Sequence, residues 1–142
     1  MTSIEEIEQE IIDEFELFGD DWEEKYAHLI DLGKALPLVE ENEKTDDRLI
    51  QGCQSRVWLK TEQESGKIIF RADSDAIITK GMVALMVRVL SNQLPEDIVK
   101  AELKFVDRIG LREHLSPTRA NGLVSMINRM KQEALSRMIG KS

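Results

Sequence analysis

The N-terminal part of the chain carries apolar residues at helical spacing. Ser3 and Glu6 have the three-residue spacing of a capping box and stand at the start of the first apolar stripe. Asp20 or Asp21 can cap a second helix, which is expected to end between residues 33 and 37. The apolar positions are Ile4, Ile7, Ile11, Phe15 and Phe18 in the first helix and Trp22, Tyr26, Leu29 and Ile30 in the second.

The middle of the chain changes to an alternation of apolar and polar residues. This alternation begins at Arg56, and a second β-rich run covers residues 67–73. Residues 63–66 between them have the composition of a hairpin turn. Residues 49–50 are candidates for a further short strand, and residues 38–48 are polar, lack periodicity and indicate a surface connection. We therefore expect two or three antiparallel strands.

The second half of the chain returns to helical spacing. Ser74 or Asp75 can cap a helix that is apolar around much of its circumference, which is typical of a central core helix. Gly81 within it predicts a close approach to another element. Ser116 as the cap and Pro117 as the first helical residue mark the start of the last helix. The apolar positions are Ile78, Met82, Leu85, Met86 and Val89 in the core helix and Leu123, Ile127, Met130, Ala134 and Met138 in the last.

The order of these elements predicts an α+β fold, with a small antiparallel sheet packed against helices. Residues 94–97 indicate a turn into a short helix, and residues 105–111 indicate another short helical or irregular piece. A chain of 142 residues that is 42% hydrophobic can bury one core, so we expect one domain over residues 1–142. The chain shows no basic-then-apolar leader and no apolar run long enough to cross a membrane. A cytoplasmic protein without membrane attachment is the expectation.

Charge is distributed unevenly along the chain. The net charge is -8, but residues 1–47 carry 17 acidic and three basic side chains, whereas residues 48–142 carry ten acidic and 16 basic ones. The overall field would repel phosphates, and no stretch interleaves basic with aromatic residues, which argues against nucleic-acid binding. The acidic half is either a docking surface for a protein partner or the solvated outer face of the first two helices.

Cys53 is the only cysteine, so the chain cannot form an intramolecular disulfide. Gly52 before it permits a tight turn with positive φ, which can place the sulfur at the tip of a loop. A lone cysteine is either a small buried apolar residue or a nucleophile. The polar neighbours Gln51, Gln54 and Ser55 do not resemble core residues, yet they are equally compatible with an inert exposed loop.

A nucleophilic cysteine must be deprotonated, and a nearby cation or helix N-terminus would favour the thiolate. Arg48 and Arg56 are close in sequence, and the N-terminus of the helix that starts at Ser116 could approach in space. The candidate bases for a thiol enzyme are His28 and His114, and each stands where a structural histidine is common.

Bound metals and nucleotides find little support in the sequence. An iron–sulfur cluster needs about four thiolate ligands, and the chain has one cysteine. The close spacings of a zinc site are absent, and the glycines form neither a phosphate-binding loop nor a dinucleotide motif. No bound cofactor is therefore expected.

Residues 49–59, Leu-Ile-Gln-Gly-Cys-Gln-Ser-Arg-Val-Trp-Leu, closely resemble the cysteine-loop signature of SufE proteins. Further stretches resemble the family in the same order along the chain, from about residue 20 to about residue 130. They are residues 21–26 with 32–37, residues 72–76 with 79–81, and residues 114–119 with 122–123.

This resemblance implies a role in iron–sulfur cluster assembly and a fold similar to that of the IscU scaffold. A pyridoxal-phosphate-dependent cysteine desulfurase of the SufS type would pass sulfur to Cys53 as a persulfide, and a SufBCD-type scaffold would receive it. The protein would stimulate the desulfurase without being an enzyme itself. The resemblance also implies that Asp75, Arg119, Gly52 and Gln54 contact the partner or tune the loop. A monomer or a weak homodimer is expected.

Three alternatives remain at this point. A CsdE-like paralogue would serve a different desulfurase, and the sequence does not separate it from SufE. A thiol-dependent enzyme would use Cys53 with His114 as its base. An adaptor would bind the desulfurase while Cys53 only packs. Independently of these alternatives, Asp75 and Arg119 could have structural roles, with Asp75 capping a helix and Arg119 a solvated first-turn residue.

Overall fold

The computed structural model describes residues 3–139 and has the expected α+β architecture, in which helices surround a two-stranded antiparallel sheet. Two 3₁₀ turns, Glu41–Glu43 and Asp46–Arg48, precede the sheet. The regular elements, in chain order, are α1 (Ile4–Glu16), α2 (Trp22–Lys34), β1 (Val57–Glu64), β2 (Lys67–Ser74), α3 (Ile77–Leu90), α4 (Pro95–Lys100), α5 (Phe105–Arg108), α6 (Leu111–His114) and α7 (Pro117–Ile139).

The predicted helix starts are largely confirmed. The Ser3 side chain accepts a hydrogen bond from the backbone N–H of Glu6, at 3.2 Å, which caps α1. In the second helix the cap is Asp21, which accepts from the backbone N–H of Glu24. Ser116 caps α7 by accepting from a first-turn amide, and Pro117 is its first residue.

The predicted cap of α3 is wrong. The N-cap residue is Ala76, and no side chain accepts a hydrogen bond there. Ser74 ends β2 and its hydroxyl oxygen accepts from the backbone N–H of Ala76, whereas the Asp75 carboxylate accepts from the backbone N–H of Arg56 on a distant segment. Asp75 therefore fastens two segments together and does not start a helix.

The central position of α3 is confirmed, and it depends on a glycine. Ten of its 14 residues are buried, and it contacts α1, α2, α7 and β2. A Cβ built on Gly81 would clash with the backbone carbonyl of Leu29 in α2, 2.7 Å from the carbonyl carbon. Because no side chain intervenes, the two helix backbones approach closely, as the sequence predicted.

The sheet is a hairpin with one apolar and one polar face. Ser65 and Gly66 form the two-residue turn, and both have positive φ, at 52° and 82°, which matches the twist of the strands. Residues 49–50 do not form the third strand that the sequence allowed, because Leu49 makes only an isolated bridge to Trp58. The inward side chains include Val57, Leu59, Ile68, Phe70 and Ala72, and they join the core.

The polar face of the hairpin is covered by the segment that the sequence indicated as a surface connection. Glu43 forms ion pairs with Lys60 of β1 and Arg71 of β2, and its side chain is only 18% exposed. Lys44 pairs with Asp73 at 2.9 Å. The segment before Cys53 is thus tied to both strands.

Candidate functional site

Cys53 lies on an irregular loop between the second 3₁₀ turn and β1. Residues 51–55, which we call the Cys53 loop, contain no helix or strand. Gly52 has φ +90°, which confirms the predicted left-handed turn, and a Cβ built on it would clash with the Ser125 hydroxyl of α7. Another residue here would be strained by the positive φ, and its Cβ would displace the Ser125 side chain.

The Cys53 loop covers a cavity of about 270 Å³ formed with α3 and the N-terminal part of α7. The predicted approach of this helix to the cysteine is thus observed. Polar side chains from the loop and from the start of α7 contribute to the lining, together with two methionines. The lining residues are Cys53, Gln54, Ser55, Thr79, Met82, Ser116, Thr118, Arg119, Gly122 and Met126.

The Cys53 thiol is half-buried and points at α7. Its Sγ lies 3.5 Å from the carbonyl oxygen of Gly122, to which the S–H donates. Burial raises the pKa of the Cys53 thiol above its ordinary value, since the thiolate would lose solvation. The resting cysteine is therefore a neutral thiol, sheltered from bulk solvent.

The two neighbouring arginines do not lower the pKa of this thiol. The Arg48 guanidinium donates to the carbonyl oxygen of Glu43 at 2.7 Å, and Arg56 is exposed. Neither lines the cavity. Neither of these two candidate cations therefore stabilises a thiolate in the resting arrangement.

Gly122 provides the floor beneath the sulfur. A Cβ at this buried position would lie 3.6 Å from Cys53 Sγ and 3.9 Å from its Cα, so the loop rests directly against the α7 backbone. The sequence offered one signal for this contact, a glycine inside an apolar helical repeat.

The four other predicted site residues are distributed around the loop. Gly52 and Gln54 belong to it, and Arg119 lines the cavity from the first turn of α7. The Arg119 side chain is exposed and forms no ion pair within residues 3–139. Asp75 is outside the cavity and holds the end of the loop through two hydrogen bonds to the backbone of Arg56. The Arg56 N–H donates to the Asp75 carboxylate at 3.0 Å, and the Asp75 N–H donates to the carbonyl oxygen of Arg56 at 3.2 Å.

The histidines have structural partners elsewhere. His114 stacks on Trp22 with ring centroids 3.8 Å apart, and its Nδ1 lies 2.9 Å from the carbonyl oxygen of Gly110. His28 contacts Glu14 at 3.1 Å. No histidine is found among the described residues that line the cavity, so the proposed pairing of Cys53 with His114 has no geometric support.

Neither a metal-binding cluster nor a membrane-spanning helix is present among residues 3–139. Within residues 3–139, no group of three or more His, Cys, Asp or Glu side chains is arranged to hold a metal ion. In the same range, no helix combines the length and apolar character needed to cross a membrane.

The fold and site define a small α+β domain with a lone, half-buried thiol on a loop over a cavity. A family model described as "SufE: Fe-S metabolism associated domain" matches residues 9–134. An uncharacterized SufE-like protein of Rhizobium meliloti is 42% identical over 97% of this chain and 99% of its own length. A second, from Rhizobium etli, is 41% identical over 88% of this chain and 87% of its own. The chain belongs to the SufE family.

A solved structure supports the fold independently. The solution structure of a hypothetical protein from Thermus thermophilus superimposes with a TM-score of 0.77, covering 94% of this chain and 96% of that one. The two sequences are only 18% identical, so this likeness bears on the fold alone.

Proposed function

We propose that this protein is a sulfur acceptor, which takes a persulfide sulfur from a SufS-type cysteine desulfurase onto Cys53 and relays it to a SufBCD-type scaffold. The observation that carries the proposal is the placement of the chain's only thiol on a loop over a cavity, with one weak contact to Gly122. Membership in a family associated with Fe–S metabolism supports it.

The transfer is a thiol–persulfide exchange. The Cys53 thiolate attacks the terminal sulfur of the persulfide on the desulfurase, the S–S bond of that persulfide breaks, and a new S–S bond forms on Cys53. The desulfurase cysteine leaves as a thiolate and takes up a proton equivalent to the one that Cys53 lost. Atoms and electrons balance without an external oxidant or reductant.

The resting geometry favours storage over attack. Burial raises the pKa of the Cys53 thiol, so little thiolate is present until docking of the desulfurase moves the loop or supplies a cation. The 3.5 Å contact from sulfur to a carbonyl oxygen is a weak hydrogen bond and opposes such a movement little. The sheltered loop and the shielded thiol would both protect a loaded sulfur from stray thiols.

Arg119 is the cation best placed to assist. It lines the cavity, and its guanidinium has no ion-pair partner among residues 3–139. It would stabilise either the attacking thiolate or an acidic group of the docked desulfurase. The lack of a second cysteine in the chain means that the loaded persulfide is not resolved into an internal disulfide.

The test is mass spectrometry of the protein after incubation with a cysteine desulfurase, pyridoxal phosphate and free cysteine. The wild type should gain the mass of one sulfur atom, which a reductant removes, and Cys53→Ser should gain none. If the wild type binds a competent desulfurase and its mass stays unchanged, the proposal is wrong.

The same incubations separate the alternatives when the turnover of the desulfurase is measured together with the mass. Loading by one desulfurase type and not by another assigns the protein to the SufE-like or the CsdE-like role. Stimulation of the desulfurase by Cys53→Ser would indicate an adaptor. Loss of loading in His114→Ala, with fold and binding intact, would favour a thiol–histidine pair against the geometry described above.

A further inference from the structure

One face of α7 faces both the Cys53 loop and the segment that precedes it. Gly122 and Arg129 are seven residues apart, about two helical turns, and therefore lie on the same side of the helix. The carbonyl oxygen of Gly122 accepts the hydrogen bond from the Cys53 thiol, and Ser125, which lies between Gly122 and Arg129 in sequence, is next to Gly52. This helix face is the surface on which the loop rests.

Arg129 binds the backbone just before the loop at two points. Its Nη1 donates to the carbonyl oxygen of Leu49 at 3.1 Å, and its Nη2 donates to the carbonyl oxygen of Asp47 at 2.8 Å. The side chain is half-buried. A planar guanidinium can bridge two carbonyl oxygens with two donors at fixed angles, which an ammonium cannot do.

The position of the Cys53 loop depends on what holds its two ends. At the start, Ile50 N–H donates to Val57 C=O at 2.9 Å, in addition to the Arg129 contacts. At the end, Arg56 is held by Asp75. Between these ends, the bond from the thiol to Gly122 joins the loop to α7.

We propose that Arg129 is a positioning residue, which fixes the segment before the Cys53 loop against α7 so that the thiol rests on Gly122. It does not touch the sulfur; it acts through Asp47 and Leu49. A role of Arg129 in sulfur storage rests on the proposed function, but its effect on the solvent exposure and reactivity of the Cys53 thiol does not.

Loss of the guanidinium should let the start of the loop leave α7. The sulfur would then reach solvent more often, and its pKa would return toward the ordinary value. Among the described residues that line the cavity, Arg119 on α7 is the one charged group, and Thr79 and Met82 of α3 are uncharged. Solvent access is therefore the main change at the sulfur. A stored persulfide would also be lost faster to added thiols.

The test measures the rate at which iodoacetamide alkylates Cys53 in the full-length protein, across a range of pH values. Arg129→Gln should raise the rate at neutral pH roughly tenfold, the change expected from losing charge-assisted hydrogen bonds in the closed state. Its pH profile should shift to lower pH. Arg108→Gln removes the same charge from an exposed position away from the cavity and should match the wild type.

A purely structural effect predicts a different pattern. General destabilisation acts through global unfolding, so it would raise alkylation only in proportion to the loss of thermal stability. Arg129→Lys keeps the charge and should give an intermediate rate, and it serves in place of Arg129→Gln if that variant does not fold. If both variants alkylate with the rate and pH profile of the wild type, the proposal is wrong. Because no desulfurase is present, this result is independent of whether the protein accepts sulfur.

Discussion

Substitution of two buried helical glycines should have opposite effects on stability. Gly81 in α3 and Gly122 in α7 each gain about 1 kcal/mol of helix propensity when changed to alanine. They differ in the space available, because a new Cβ at Gly81 would clash with the backbone of Leu29, whereas one at Gly122 would make contacts of 3.6–4.0 Å with Cys53.

The magnitude for Gly81→Ala follows from that clash. The obstructing atoms are backbone atoms of α2, which cannot rotate away, so the two helices must separate at a cost of about 3 kcal/mol. The helix propensity recovers about 1 kcal/mol, which leaves a net loss of about 2 kcal/mol. In a chain of this length that corresponds to a decrease in Tm of about 8 °C.

The assay is urea unfolding followed by far-ultraviolet circular dichroism, with the m-value checked to be constant. Gly81→Ala should unfold at lower urea than the wild type, and Gly122→Ala should unfold at higher urea. If the two variants shift in the same direction, or if Gly81→Ala is as stable as the wild type, the close approach of α2 and α3 does not determine the effect of an added Cβ on stability.

Three further substitutions address the ion pairs, the loop and the hairpin. Hydrogen bonding to Lys60 and the charge of Arg71 hold the pKa of Glu43 at about 2, below its ordinary 4.5. Its contribution to stability is therefore present above about pH 4.5 and lost as the pH falls toward about 2, so Glu43→Gln should lower Tm most at neutral pH and least at low pH. Asp75→Ala should cost about 1 kcal/mol and speed alkylation of the cysteine in the loop. Ser65→Asn should add about 0.5 kcal/mol, because asparagine tolerates the positive φ of this turn better.

Each of these substitutions has a matched control. Glu64→Gln removes an exposed carboxylate at the end of β1, and its Tm should follow that of the wild type across the pH range. An equal pH dependence of wild type and Glu43→Gln would contradict the first expectation. Asp75→Asn keeps an acceptor oxygen and should restore most of the stability lost in Asp75→Ala; failure to do so would mean that the bond to the backbone is not responsible. Ser65→Ala should lower stability, and a gain would contradict the turn argument.

Helix positions could be predicted from the sequence because their signals are local. The caps Ser3, Asp21 and Ser116 lie within three residues of the amides that they bind. The prediction that Asp75 caps a helix failed because its partner is distant in sequence. Its carboxylate binds the amide of Arg56, 19 residues away, and not an amide at the start of the adjacent helix. Local spacing contains no information about such a partner.

The surroundings of Cys53 in the fold could not be predicted from the sequence. The resemblance to SufE pointed to Cys53, but its shelter depends on Gly122, 69 residues further along the chain. Arg129 gave no signal, because its two acceptors are backbone carbonyls, which any residue supplies. Similarly, the ion pairs of Glu43 join a segment without periodicity to strands 17 and 28 residues away.

The dependence of the cysteine on α7 has a consequence for synthesis. The ribosome makes residues 51–55 well before it makes the helix that covers them, so the nascent chain exposes its sulfur until Pro117–Ile139 has emerged and docked. During that interval the side chain is open to oxidants and electrophiles. Completion of the C-terminal helix is thus the step that gives the newly made protein its chemical protection.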